Sequence, residues 1–287
     1  MRVIRVCFFL LLLQACASSS EDESKNEVDT LESTSAHESI REEGLIWHFQ
    51  DQFESNFKDT LKLWVIRVKE ACFETVGEYP FAMNIFFHKS ESKQREGVVF
   101  GHTDRSNENL GLHLYVIGNS SYESLISDWI APHEMSHLAI RPAGRNNKWF
   151  AEGFATYLSR RIMIRLGYYS EDEFETLYAT KIAETKPFYQ VDYPFSERSV
   201  ELFEEYQYST VYWAGAGFFY RADQALQAHS DMRFEQLLQN YQEVGRKQDK
   251  NFAQLIASWD KIAGFNLFEE LISEYRNGSS REVMSRF

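Results

Sequence analysis

Apolar side chains at Phe53, Phe57, Leu61, Trp64, Val68 and Cys72 recur every three or four positions, which predicts a long amphipathic helix over residues 50–76. Short β-branched or aromatic runs follow at 82–88, 97–102 and 112–117, separated by Gly, Ser, Asn and charged residues, and these read as strands. From residue 121 the helical period returns and covers 121–140, 148–166, 171–184, 209–228, 232–243, 250–258 and 265–276. This order predicts an α+β fold, with a small sheet lobe first, a helical lobe second, and one folded unit over 44–287. Residues 186–199 break the pattern. They hold Phe188, Tyr189, Tyr193, Pro194 and Phe195 and read as an irregular aromatic loop, either a lid or groove wall or a cover packed over the helical lobe.

The first 43 residues share none of these periods. Arg2 and Arg5 precede an apolar run at 6–13 that is too short to cross a bilayer as a helix, and the run ends in Leu13-Gln14-Ala15-Cys16. This end resembles the lipobox of bacterial lipoproteins. The resemblance implies a signal peptide over 1–15, a lipid on Cys16, and anchoring to a membrane of the bacterial cell envelope, on its periplasmic side or at the cell surface. An ordinary secretory signal is the other reading. Residues 17–43 carry nine acids and two bases with almost no large apolar residue, the composition of a solvated tether.

Charge narrows the partners. Over 287 residues, 43 Asp and Glu oppose 30 Lys and Arg, a net charge of -13, which excludes the basic surface that nucleic acid requires. Of the three cysteines, Cys7 lies in the signal segment, Cys16 would be lipidated, and Cys72 falls on the apolar face of the first helix as a core thiol. His88, His102 and His113 sit on strand-like segments without metal-ligand spacing along the chain, and they read as surface or core imidazoles.

The chemistry concentrates in His133-Glu134-Met135-Ser136-His137. A four-residue step on a helix turns about 400 degrees, so His133 and His137 leave the same face and can share a metal, with Glu134 beside the open position. A hydrolytic zinc site takes three protein ligands. Residues 138–147 contain Pro142 and Gly144, which break the helix and turn the chain, and the next helix opens with Trp149-Phe150-Ala151-Glu152. If the two helices pack antiparallel, Glu152 faces the histidines and completes a His, His, Glu set for one zinc ion.

The pair of motifs, with Glu152 continued by Gly153-Phe154-Ala155-Thr156-Tyr157, is similar to the gluzincin zinc peptidases, especially the aminopeptidase N, leukotriene hydrolase and glycyl aminopeptidase groups. The resemblance covers roughly residues 110–225. It implies a thermolysin-like catalytic domain, His133, His137 and Glu152 as zinc ligands, Glu134 as general base, and a peptide or protein substrate. Tyr208-Ser209-Thr210-Val211-Tyr212-Trp213-Ala214-Gly215 looks like the Y-x-K-G segment of the same families, which implies Tyr212 as oxyanion donor with Ala214 in place of the usual Lys. Read without the family, Tyr212 is a core aromatic opening a helix whose small residues allow close packing. Three departures stand out. The gap from His137 to Glu152 is shorter than in the large aminopeptidases, no G-x-M-E-N segment precedes the site, and Pro132 would kink a helix already under way.

Together these features describe a lipid-anchored zinc metallopeptidase of the envelope. The alternative is a catalytically silent lipoprotein that uses the peptidase fold as a binding or assembly module, although a scaffold has no physical need for Glu134. Cys16→Ser is expected to stop labelled fatty acid from entering the chain and to move the protein out of the membrane fraction. Label that still enters the Cys16→Ser chain would overturn the lipobox reading.

Overall fold

Strand pairing starts earlier than the sequence pattern suggests. In the computed structural model, which describes residues 40–42, 44–92, 96–106 and 108–287, strand β1 (Ile40–Glu42) pairs antiparallel with β2 (Leu45–Phe49). Cys16 and the signal segment lie outside the described residues. Three residues assigned to the tether therefore join the sheet, and β2 is a strand the pattern missed. Its five residues are too few to register a period, yet they alternate inward Leu45 and Trp47 with outward Ile46 and His48.

Helix α1 (Ser55–Val76) carries the chain from β2 to β3 (Met83–Ser90), the crossover that two parallel strands require. It begins five residues later than expected, because the backbone N–H of Gln50 still donates to the carbonyl of Phe87. Its apolar face buries Phe57, Leu61, Trp64, Val65, Val68 and Cys72. The Cys72 thiol is fully buried 3.3 Å from the Tyr79 hydroxyl, and burial pushes its pKa up to about 12, as befits a core thiol. Strands β4 (Val98–Asp104) and β5 (Gly111–Ile117) complete a mixed sheet of order β1-β2-β3-β5-β4, with β4 antiparallel at the edge.

The helix expected over 121–140 is two helices, α2 (Tyr122–Ile126) and α3 (Ile130–His137). The Asp128 carboxylate accepts from the Ile130 N–H and starts the second one afresh. Pro132 is then the third residue of α3, where its missing N–H costs no helical bond and the expected kink does not arise.

The helical lobe follows with α4 (Lys148–Arg165), α5 (Glu171–Thr185), α6 (Phe195–Glu204), α7 (Tyr208–Ser230), α8 (Phe234–Val244), α9 (Phe252–Ala263), α10 (Leu267–Asn277) and α11 (Ser280–Met284). Most of the segment read as an irregular loop is ordered: a 3-10 turn at Lys186–Tyr189 precedes α6, with Tyr189 and Phe195 fully buried and stacked at 4.6 Å. Of the two roles open for that loop, these residues take the cover. Phe150, Phe154, Phe218, Phe219, Phe234, Trp259 and Phe268 form one aromatic core around α4 and α7. These two helices cross in backbone contact. A Cβ on Gly153 would lie 2.2 Å from the carbonyl carbon of Gly215, so only glycine allows the approach.

Candidate functional site

Helix α3 lies between the edge of the sheet and α4. Gly101 on β4 makes room for it, since a Cβ there would meet Ile130 Cγ2 at 2.7 Å and Glu134 Cγ at 3.1 Å. Two residues along, Thr103 donates its hydroxyl hydrogen within reach of both the Glu134 carbonyl, at 2.8 Å, and the Glu134 carboxylate, at 2.9 Å. The carboxylate is thereby oriented from the sheet side.

The carbonyls at the end of α3 are covered by donors from four places. Tyr79 donates to Met135 at 2.8 Å, Arg105 to His137 and Ile140, Arg246 to Leu138, and Gln242 to Ala139 at 2.7 Å. A cation at this end of a helix meets the negative end of its dipole. Burial, with Arg246 as a near neighbour, brings the Arg105 guanidinium down to about 10, so it remains charged at neutral pH.

Opposite α3, Glu152 is the fifth residue of α4. The turn between them is short and pinned: Gly144 takes φ +88, and buried Asn147 donates to the Ala143 carbonyl and accepts from Arg276. Glu152 Oε2 lies 3.2 Å from His133 Nε2 and 3.5 Å from His137 Nε2, and the three candidate ligand atoms fall within 4.8 Å of one another. With bonds of about 2.1 Å, the edges of a zinc tetrahedron are about 3.4 Å, so the observed set fits zinc in donor type and in spacing. The His133 ring is 3 % exposed and held by packing, with Trp129 edge-on at 5.2 Å and Tyr212 stacked at 5.7 Å.

Tyr212 reaches the site because α7 touches α4. Gly215, one turn further along, sits so close to the Trp149 carbonyl that its own Cβ would be 2.1 Å away. Burial, then the charges of Glu152 and Glu134, hold the Tyr212 phenol far above its ordinary value, so it keeps its proton as a donor. Every described residue named from the sequence as ligand, base or oxyanion donor is therefore found in one place. Thr103, Arg105, Tyr79, Gln242 and Arg246 were not anticipated. The one signal available for Thr103 was its place two residues after a strand glycine, which puts both on the face that meets α3.

The electrostatics of the candidate ligands are mutual. Burial alone would lower the His137 pKa, but Glu152 outweighs it and the value rises above 6.5. Burial would raise Glu152, yet His137 and His133 hold it far below the usual carboxylate range.

No protein-family model and no curated protein matches the chain in sequence. Solved structures do. An aminopeptidase N family protein from Idiomarina loihiensis superposes with a TM-score of 0.59 at 16 % identity, over 87 % of this chain and 48 % of that one. Yeast LTA4 hydrolase superposes with a TM-score of 0.55 at 13 % identity, over 84 % of this chain and 39 % of that one. The fold is that of a gluzincin-like peptidase. The chain spans about half, or less, of the length of these proteins.

A pH dependence follows from the ligand electrostatics. Without metal, the raised His137 value means that its pairing with Glu152 stabilises the fold fully below 6.5 and is lost as the pH rises through the raised value. The lowered Glu152 value adds stability above 4.5 that is lost only in strong acid. Zinc requires unprotonated imidazoles, so its stabilising effect on Tm is expected to be larger at about pH 8 than at about pH 6. Equal increments at both would show that no proton on His137 competes with the metal.

Proposed function

We propose that this chain is a zinc-dependent peptidase of the bacterial envelope, anchored to a membrane through a lipid on Cys16 and acting on peptides or proteins. The observation that carries the reading is the convergence of His133, His137 and Glu152 on one point, with the Glu134 carboxylate fixed beside it by Thr103. The likeness of the fold to proteins described as aminopeptidase N family and LTA4 hydrolase supports it.

His133, His137 and Glu152 would hold the ion. Bound zinc supplies Lewis acidity toward the scissile carbonyl and the attacking water. Glu134 takes the proton from the water and delivers it to the departing amine, a role for which its carboxylate must be correctly turned. Thr103 turns it. The Tyr212 hydroxyl donates a hydrogen bond to the oxyanion that forms as the carbonyl carbon becomes tetrahedral.

Two substitutions separate these roles. Glu134→Gln should bind zinc and melt like the parent while turnover on an unstructured protein substrate disappears, and appreciable activity in the metal-replete variant would remove Glu134 as the base. Tyr212→Phe should lower kcat and kcat/KM together by roughly 10² to 10³, the cost of one oxyanion donor, with zinc content unchanged. A near-normal kcat with a lowered Tm would instead give Tyr212 a packing role.

A further inference from the structure

The sheet has a second populated face, turned away from α3. Strand register lays four rings side by side across it: His48 opposite Phe86, Phe86 opposite His113, and His113 opposite His102. They stack at 4.3, 4.3 and 4.5 Å with interplanar angles of 12°, 6° and 6°. The next row holds His88 stacked on Tyr115 at 4.4 Å. Chain positions 88, 102 and 113 gave no metal spacing, but pairing makes them neighbours. His88 Nε2 lies 2.9 Å from His113 Nδ1, and the other nitrogen of His113 lies 3.7 Å from Asp104 Oδ2.

We propose that His88 and His113 form a second metal site, for a divalent transition-metal ion of the imidazole-preferring kind such as Zn2+, Ni2+ or Cu2+. A separation of 2.9 Å is close to that of two cis ligands at about 2.0 Å from a common ion, for which a right angle places them about 2.8 Å apart. The ring of His113 is already oriented. Phe86 and His102 clamp its two faces, and the Asp104 carboxylate, 3.7 Å from Nε2, favours the tautomer that carries its proton on that nitrogen, leaving the Nδ1 lone pair on the side of His88. A carboxylate behind a ligating imidazole is the usual outer support of such a ligand. His88 completes the pair when its own proton moves from Nε2 to Nδ1, a tautomer change with no net loss of protons.

Burial lowers the pKa of His88, with His102 adding to it against Asp51, and burial with His102 and His88 lowers that of His113 against Asp104. His102 is exposed, so water has access to the coordination positions the protein leaves open. Along β4, His102 and Asp104 alternate with Gly101 and Thr103, which puts this pair on the opposite face of the sheet from the His133, His137 and Glu152 cluster.

Equilibrium dialysis of the full chain against Zn2+ at neutral pH tests the assignment. Two zinc equivalents are expected, one tight and one weaker. His88→Ala and His113→Ala should each remove only the weaker, and Asp104→Asn should weaken it by roughly 10- to 100-fold. His88→Phe preserves the ring on Tyr115 while deleting the ligand, so it gives the same answer even if His88→Ala unfolds. His133→Ala should remove only the tight equivalent. A parent protein with a single zinc that survives His88→Phe, or a weaker zinc unaffected by His88→Phe and His113→Ala, overturns the proposal. A single zinc lost in His88→Phe would support it and count against the peptidase reading instead, so the two fail separately.

Discussion

The carbonyl groups at the end of α3 are buried, and the rest of the site depends on their being satisfied. A helix of eight residues has no interior to speak of, so most of its polar backbone groups belong to its ends. Each such group left without a donor would cost about 1–3 kcal/mol. Tyr79 and Arg105 come from the sheet lobe, Gln242 and Arg246 from the region around the end of α8. Both lobes thus grip the same short element. A helix held from both sides presents His133, Glu134 and His137 with little freedom, which is the condition for an effective catalytic geometry.

Close approach is the second device. Gly101 lets α3 settle on the edge strand, and the Gly153 and Gly215 pair lets α4 and α7 touch. Glu152 precedes one of these glycines directly, and Tyr212 lies one turn before the other. Larger residues at either crossing would part the backbones and carry Glu152 or Tyr212 away from α3. The aromatic core on the far side of α4 leaves little slack to absorb the change, since close-packed interiors relax only in part.

What was legible in the sequence is what depends on local spacing. His133, His137 and Glu134 are read from one helical turn, and Glu152 from a helix that opens after a breaker, because a period of 3.6 determines which side chains share a face. Thr103 and Arg105 were not legible, since their partners lie more than 30 residues away and meet them only once β4 is at the edge of the sheet. The same holds for the His48, Phe86, His113 and His102 row, where register rather than sequence distance makes the contacts. β2 was too short to show its alternation. Pro132 misled for a different reason: apolar periodicity runs through residues 127–129, and only the hydrogen bond from the Ile130 N–H to the Asp128 carboxylate reveals that a new helix starts there.

Glu152 and the two imidazoles hold one another at nearly the separations that a tetrahedral ion would set. Their attraction is strong enough to raise His137 against its own burial and to keep Glu152 ionised against its own. An ion entering this cluster would replace those contacts rather than create the arrangement, so little conformational freedom would remain to be lost on binding. The arrangement also exacts a condition. Protons and metal would compete for the same nitrogens, and the carboxylate that draws the ligands together is the group that strengthens the competing proton. Affinity in such a site is therefore set by the balance between ordering the ligands and protonating them, and Glu152 contributes to both.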